Sequence, residues 1–117
     1  MLHITSPIHP GEILREEYLI PLGLKPYTLA KKLHVPRTRI ERLVSEQTSI
    51  TPDTALRLGR FFDTTAQFWM NMQTAYDLAT LESELAEVIA EIERMPSPAA
   101  ANEEETHNNY AEARLAG

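Results

Sequence analysis

Apolar residues recur at helical spacing along most of the first 78 positions, in stripes broken by short polar segments that carry proline or glycine. Ile13, Leu14, Tyr18 and Leu19 form the first stripe. It opens at His9-Pro10-Gly11-Glu12, where proline suits a first turn and Glu12 the positive end of a helix dipole, and it closes at Pro21 with Gly23 just beyond. A second helix starts at Pro26 and ends near His34, with Leu29 and Leu33 four apart on one face and the small Ala30 beside them. Val35 plugs the turn, and Pro36 cannot continue the helix but suits the start of the next. The third helix runs from about Arg37 to Ser45, and its Ile40 and Leu43 point back at the leucines of the second. Two helices crossing over a three- to four-residue turn, with a small residue where they approach, are a helix-turn-helix. Thr51-Pro52-Asp53 is an N-cap with proline at the first helical position. The fourth helix then carries Ala55, Leu56, Leu58, Gly59, Phe61 and Phe62, a core set. Glycine at 59 costs about 1 kcal/mol against alanine in a helix interior, so a close neighbour is expected there. Asp63-Thr64-Thr65 opens a fifth helix that takes Phe68, Trp69, Met72, Tyr76 and Leu78 into the core. The pattern is all-α.

After Leu78 the period changes. Leu78, Leu81, Leu85, Val88, Ile92 and Met95 are spaced as a heptad seam flanked by Glu82, Glu84, Glu87, Glu91 and Glu93. It lasts about two and a half heptads, short of the three to four that define a coiled coil. With Leu78 at position a, Glu84 and Glu91 both fall at g, so a parallel homodimer gains no ion pair from them. Three alternatives stay open: antiparallel pairing, docking on the domain's own core, or a basic partner. From Pro96 onward Pro-Ser-Pro, three alanines, a run of glutamates and His-Asn-Asn read as a disordered tail. The expected organisation is a domain over 7–79, a helical heptad extension over 80–95 and a flexible tail over 96–117.

Charge sharpens this picture. The chain of 117 residues has net charge −6, which argues against a nucleic-acid partner until it is divided. Residues 1–63 hold nine Lys/Arg and seven Asp/Glu, net +2; residues 64–117 hold two and ten, net −8. Between Lys25 and Arg42 six basic residues face one acidic, net +5. A basic patch over the helix-turn-helix suits phosphate, and the acidic last third suits something basic. Without cysteine neither disulfides nor thiolate metal sites are available. No stretch approaches the length of a membrane span and no signal-like run opens the chain, so a cytoplasmic location without membrane contact is expected.

Three stretches carry a family resemblance over about residues 7–79. They are His9-Pro10-Gly11-Glu12-Ile13-Leu14 with Tyr18 to Gly23, the helix-turn-helix, and Ile50-Thr51-Pro52-Asp53-Thr54-Ala55-Leu56-Arg57-Leu58 running on to Phe68-Trp69-Met70-Asn71-Met72-Gln73 and Tyr76-Asp77-Leu78. On these the chain resembles the lambda-repressor-like (xenobiotic-response-element) helix-turn-helix family and, within it, the HigA-type antitoxins of toxin–antitoxin modules. The resemblance implies a five-helix domain with a long C-terminal helix through which it dimerises. It implies binding to a palindromic operator in its own promoter, and a partner toxin of the RelE-like ribonuclease fold that it neutralises. Trp69 and Gln73 are therefore expected at a dimer or partner face, continued by Leu78, Leu81, Leu85, Val88 and Ile92.

The chain departs from the family pattern at three places. His34 stands where glycine is usual, Pro26 where a polar residue often holds a phosphate, and Glu46-Gln47-Thr48 where the loop is often glycine-rich and basic. A positive φ costs histidine more than glycine, and the other two changes remove phosphate contacts. Modest DNA affinity with a shallow salt dependence is expected.

By position, Arg37, Thr38 and Arg42 are expected to meet base edges, and Arg39, Lys31, Thr28 and Tyr27 phosphates. Glu41 either reaches a cytosine or orients a neighbouring arginine. Two other functions remain beside a DNA-binding antitoxin: a stand-alone regulator without a toxin, and a module whose main activity is protein capture. An enzyme is disfavoured. His3, His9, His34 and His107 lack ligand spacing, and no nucleophile–base arrangement, phosphate loop or carboxylate pair stands out. No cofactor or metal is expected.

Overall fold

In the computed structural model, residues 6–96 are described and fold entirely into helices and connecting turns. Helix α1 covers residues 10–22, α2 Pro26–Leu33, α3 Arg37–Val44, α4 Pro52–Phe62, α5 Ala66–Glu84 and α6 Ala86–Glu91. Within the described residues, 6–85 and 86–96 belong to two separate units.

Helix α1 is capped by His9, whose Nδ1 accepts the Gly11 N–H at 2.9 Å. Its middle, Leu14–Leu19, widens into π geometry, in which the Ile20 N–H reaches back five residues to the Arg15 carbonyl. The cause lies one residue further on. Pro21 has no N–H to offer the Glu17 carbonyl and its ring crowds that oxygen, so the backbone widens just before it. The helix closes on Gly23, in the left-handed region at φ 62°, with Leu24 N–H bonded to the Leu19 carbonyl at 2.9 Å.

The core gathers Leu14, Leu19, Leu29, Ala30, Leu33, Ile40, Leu43, Ile50, Ala55 and Leu58 around Trp69. Leu29, Leu33, Ile40 and Leu43 are all buried, as the helix-turn-helix pattern requires. Two glycines let backbones touch. A Cβ on Gly11 would lie 1.9 Å from the Leu43 carbonyl oxygen at the end of α3, and one on Gly59 would lie 3.0 Å from the Ala66 nitrogen where α5 begins. The close neighbour expected at Gly59 is thus the start of the next helix. On α4 the buried face is Thr54, Ala55, Leu58 and Gly59, with Phe62 packed at its edge. Leu56 and Phe61 fall off that stripe and are exposed, as is Leu78 on α5, against the core positions expected for them.

Trp69 and Gln73 do not stand on a partner-facing surface. Trp69 is fully buried, with Nε1 donating to Thr64 Oγ1 at 2.8 Å and its ring against Tyr18 and Phe62. Gln73, 3% exposed, accepts the Ile50 N–H at 2.7 Å and donates to Asp77 at 2.9 Å. Gln73 braces the α3–α4 connection and Trp69 the α4–α5 connection, both from inside the domain.

The continuous heptad helix is interrupted. Leu85 leaves helical geometry at φ −101°, ψ 8° and ends α5. The last turn of α5 carries Glu82 and Glu84 and no basic residue, charges that oppose the negative end of the helix dipole. Leu78, Leu81 and Leu85 are exposed in the first unit; in the second, Val88, Ile89 and Ile92 are exposed on and just past α6. Of the expected tail only Pro96 is described; the rest lies outside the described residues.

Candidate nucleic-acid interface

Helix α3 buries Ile40, Leu43 and Val44 and turns Arg37, Thr38, Arg39 and Arg42 to solvent, with Glu41 partly covered between them. Three intramolecular clamps fix the helix-turn-helix in place. At its C-terminus, Arg15 of α1 donates to the Val44 carbonyl and pairs with Glu46 at 3.3 Å. A cation on terminal carbonyls complements the helix dipole. At the turn, Arg57 of α4 donates to the Leu33 carbonyl at 2.8 Å and the His34 carbonyl at 3.3 Å, closing the end of α2. Between them Asp53 joins both helices, its Oδ1 taking Arg57 Nε and Arg39 Nη1, each at 2.7 Å. These two guanidinium groups, Arg57 first, hold the Asp53 carboxyl below its ordinary range.

His34 occupies the left-handed turn position at φ 60°, with Val35 N–H bonded to the Ala30 carbonyl at 3.0 Å. The histidine therefore adopts the left-handed geometry that glycine usually provides.

The expected DNA-facing residues separate into groups. Arg37 and Tyr27 meet: the guanidinium carbon lies 5.8 Å from the Tyr27 ring centre, while Nε donates to Glu41 Oε2 at 2.8 Å. Arg39 is tied to Asp53 and must exchange that partner to reach a phosphate. Thr38, Arg39 and Arg42 line a concavity of about 390 Å³ together with Thr48, Ser49, Thr51 and Thr54. Lys31 is exposed and Thr28 half-buried on α2. Thr48 and Ser49 are the additions here. The loop lacks basic residues, but its hydroxyls stand beside the recognition helix, and hydroxyls are ordinary phosphate partners. Arg15 and Arg57 were also not foreseen, because their acceptors are main-chain carbonyls 29 and 24 residues away that no local pattern reveals.

Among the described residues no group of three or more His, Asp or Glu is placed to hold a metal, and no helix is long and apolar enough to cross a membrane.

Comparison with known proteins agrees with this geometry. The Helix-turn-helix family profile matches residues 14–69. Virulence-associated protein I of Dichelobacter nodosus is 62% identical over 77 residues, 66% of this chain and 71% of that protein. Antitoxin HigA-1 of Vibrio cholerae is 33% identical over 72 residues, 62% of this chain and 68% of its own length. The solved structure of the Pseudomonas aeruginosa antitoxin HigA with the higBA promoter superposes with a TM-score of 0.75 at 48% identity, covering 77% of this chain and 99% of that one. With the recognition helix, its clamps and these relatives in agreement, the chain belongs to the lambda-repressor-like (XRE-type) helix-turn-helix family, in the branch that holds the HigA antitoxins.

Proposed function

We propose that this protein is a sequence-specific DNA-binding repressor, the antitoxin of a HigBA-like module, which binds a palindromic operator in its own promoter as a homodimer and neutralises a RelE-like ribonuclease toxin. The observation that carries the DNA-binding half is an exposed arginine-bearing helix, held at its C-terminus by Arg15 and to α4 through Arg39 and Asp53, in a fold shared with an antitoxin solved on promoter DNA. Arg37, Thr38 and Arg42 face the base edges in this reading, and Lys31, Thr28 and the hydroxyls of Thr48 and Ser49 the phosphates. The reaction chemistry of an enzyme has no part in it, and a cytoplasmic location follows from the role.

Protein capture has its own support. Leu78 and Leu81 are exposed apolar residues at the end of α5, Val88 and Ile92 on and just past α6, and each set lies among glutamates. Such surfaces suit a basic partner or a second copy of the chain.

The test is a titration of the purified protein against duplex from upstream of its own gene and against random duplex, at two salt concentrations. A dimer-sized footprint on a palindrome is expected; equal weak binding to both duplexes overturns the repressor reading. For the toxin half, the product of an adjacent short reading frame is expected to co-purify with the full chain. A chain truncated after Ala79 that still captures it would exclude the heptad segment from the contact.

A further inference from the structure

Arg37 is the first residue of α3, a place where a mobile cation is unfavourable to the helix dipole and where a base-reading side chain gains most from being held still. The structure holds it from two sides. Glu41, one turn along, accepts Nε at 2.8 Å, and the Tyr27 ring of α2 lies under the guanidinium at 5.8 Å. With Nε occupied, the side-on edge of the guanidinium is engaged, and among the described residues the two Nη groups donate to no protein partner and remain as a fork. The Arg37 side chain is nevertheless 69% exposed, so most of it is open to a ligand.

We infer that Glu41 and Tyr27 are positioning residues that preset Arg37 for end-on, bidentate reading of a guanine through Nη1 and Nη2. This rests on the DNA-binding reading above and adds what that reading leaves open: how one arginine among several acquires base preference. It also assigns Glu41 to the arginine rather than to a cytosine, and Tyr27 to its ring face rather than to a phosphate through its hydroxyl. The arrangement opposes affinity and selectivity. The Glu41 carboxylate repels the DNA backbone, yet it removes the rotamer freedom that would let Arg37 settle on a nearby phosphate instead of a base.

The experiment selects the preferred site from a randomised duplex library with the full-length protein. Binding is then measured at fixed salt to that duplex, to versions with each base pair replaced, and to an unrelated duplex. Arg37→Ala is expected to lower discrimination at one base pair of each half-site by about fivefold or more. Glu41→Ala is expected to lower discrimination at that same base pair by about threefold or more while tightening binding to the unrelated duplex. In the Arg37→Ala background, Glu41→Ala should cost nothing further at that pair. Glu41→Gln should retain the preference, because its side-chain oxygen still accepts from Nε, and Tyr27→Phe should retain it because the ring face remains. A Glu41→Ala loss at a different base pair, or no loss where Arg37→Ala shows one, overturns the positioning role alone. Unchanged discrimination in Arg37→Ala overturns the base-reading assignment beneath it.

Discussion

His34 sets the turn of the helix-turn-helix at φ 60° and ψ 44°, a conformation that an L side chain adopts at a cost of about 1–2 kcal/mol. Its side chain is exposed; its N–H donates to the Lys31 carbonyl at 3.2 Å and its carbonyl accepts from Arg57, backbone contacts that glycine keeps. Replacing it with glycine removes the steric cost and gives back part of the gain as chain entropy, about 0.5–1 kcal/mol. His34→Gly is therefore expected to stabilise the domain by roughly 0.5–1 kcal/mol, read as a higher urea midpoint at unchanged slope. Gly11 behaves oppositely. An alanine Cβ there would run into the Leu43 carbonyl oxygen at 1.9 Å, backbone that cannot swing aside, so Gly11→Ala should cost about 3 kcal/mol. Asp53 supplies a pH-dependent contribution. Because Arg57 and Arg39 depress its folded pKa, its pairs stabilise the fold fully above the ordinary aspartate value of 3.8 and fade as pH falls through the lower folded value. The stability gap between the parent and Asp53→Asn should thus be widest near neutrality and close in strong acid. A gap that widens on acidification would contradict the ion-pair assignment.

At the scale of elements, the connection between α3 and α4 depends on Gln73. The Ile50 N–H is buried and the Gln73 side-chain oxygen is its partner. Gln73→Met keeps the volume and deletes the acceptor, so denaturation should show a loss of about 1–3 kcal/mol, with no rescue by added salt. Such cross-element bonds mark where the sequence is silent. Helix starts were legible because proline and threonine announce them locally: Thr51 and Thr65 cap α4 and α5 through the backbone N–H three residues on. The helix-turn-helix core was legible because its apolar residues lie within one or two turns of each other. What periodicity could not supply was which apolar residue loses the contest for one interior. Trp69 fills the centre and leaves Phe61, Phe68 and Leu78 exposed, though all lie on apolar-rich helices. The site was legible as a set of residue types, not as pairs. That Arg39 is held by Asp53 and that the Tyr27 ring lies under Arg37 depends on the rotation of α3 against α4 and α2, a tertiary quantity, whereas the Arg37–Glu41 pair is one helical turn apart and local.

For the whole molecule, the distribution of charge governs DNA binding more than its total. Among the described residues, Arg37, Arg39 and Arg15 already hold carboxylates, while Lys31 and Arg42 form no ion pair. Each counterion-releasing contact adds about 0.9 to the slope of log affinity against log salt. If a dimer neutralises roughly four to six phosphates, the slope is about −4 to −5, shallow for a repressor. The acidic last third is expected to act on the same quantity. Residues 96–117 hold four glutamates and one arginine, net −3, so a chain ending at Met95 has net charge −3 instead of −6. Like charges repel DNA only within about a Debye length, roughly 10 Å at 0.1 M salt. The shortened chain should therefore bind random duplex more tightly than the full chain at low salt, and the two should converge as salt rises, while base preference stays the same because no base-reading residue is lost. Identical titrations at every salt concentration would show that the acidic segment stays beyond screening distance of the DNA.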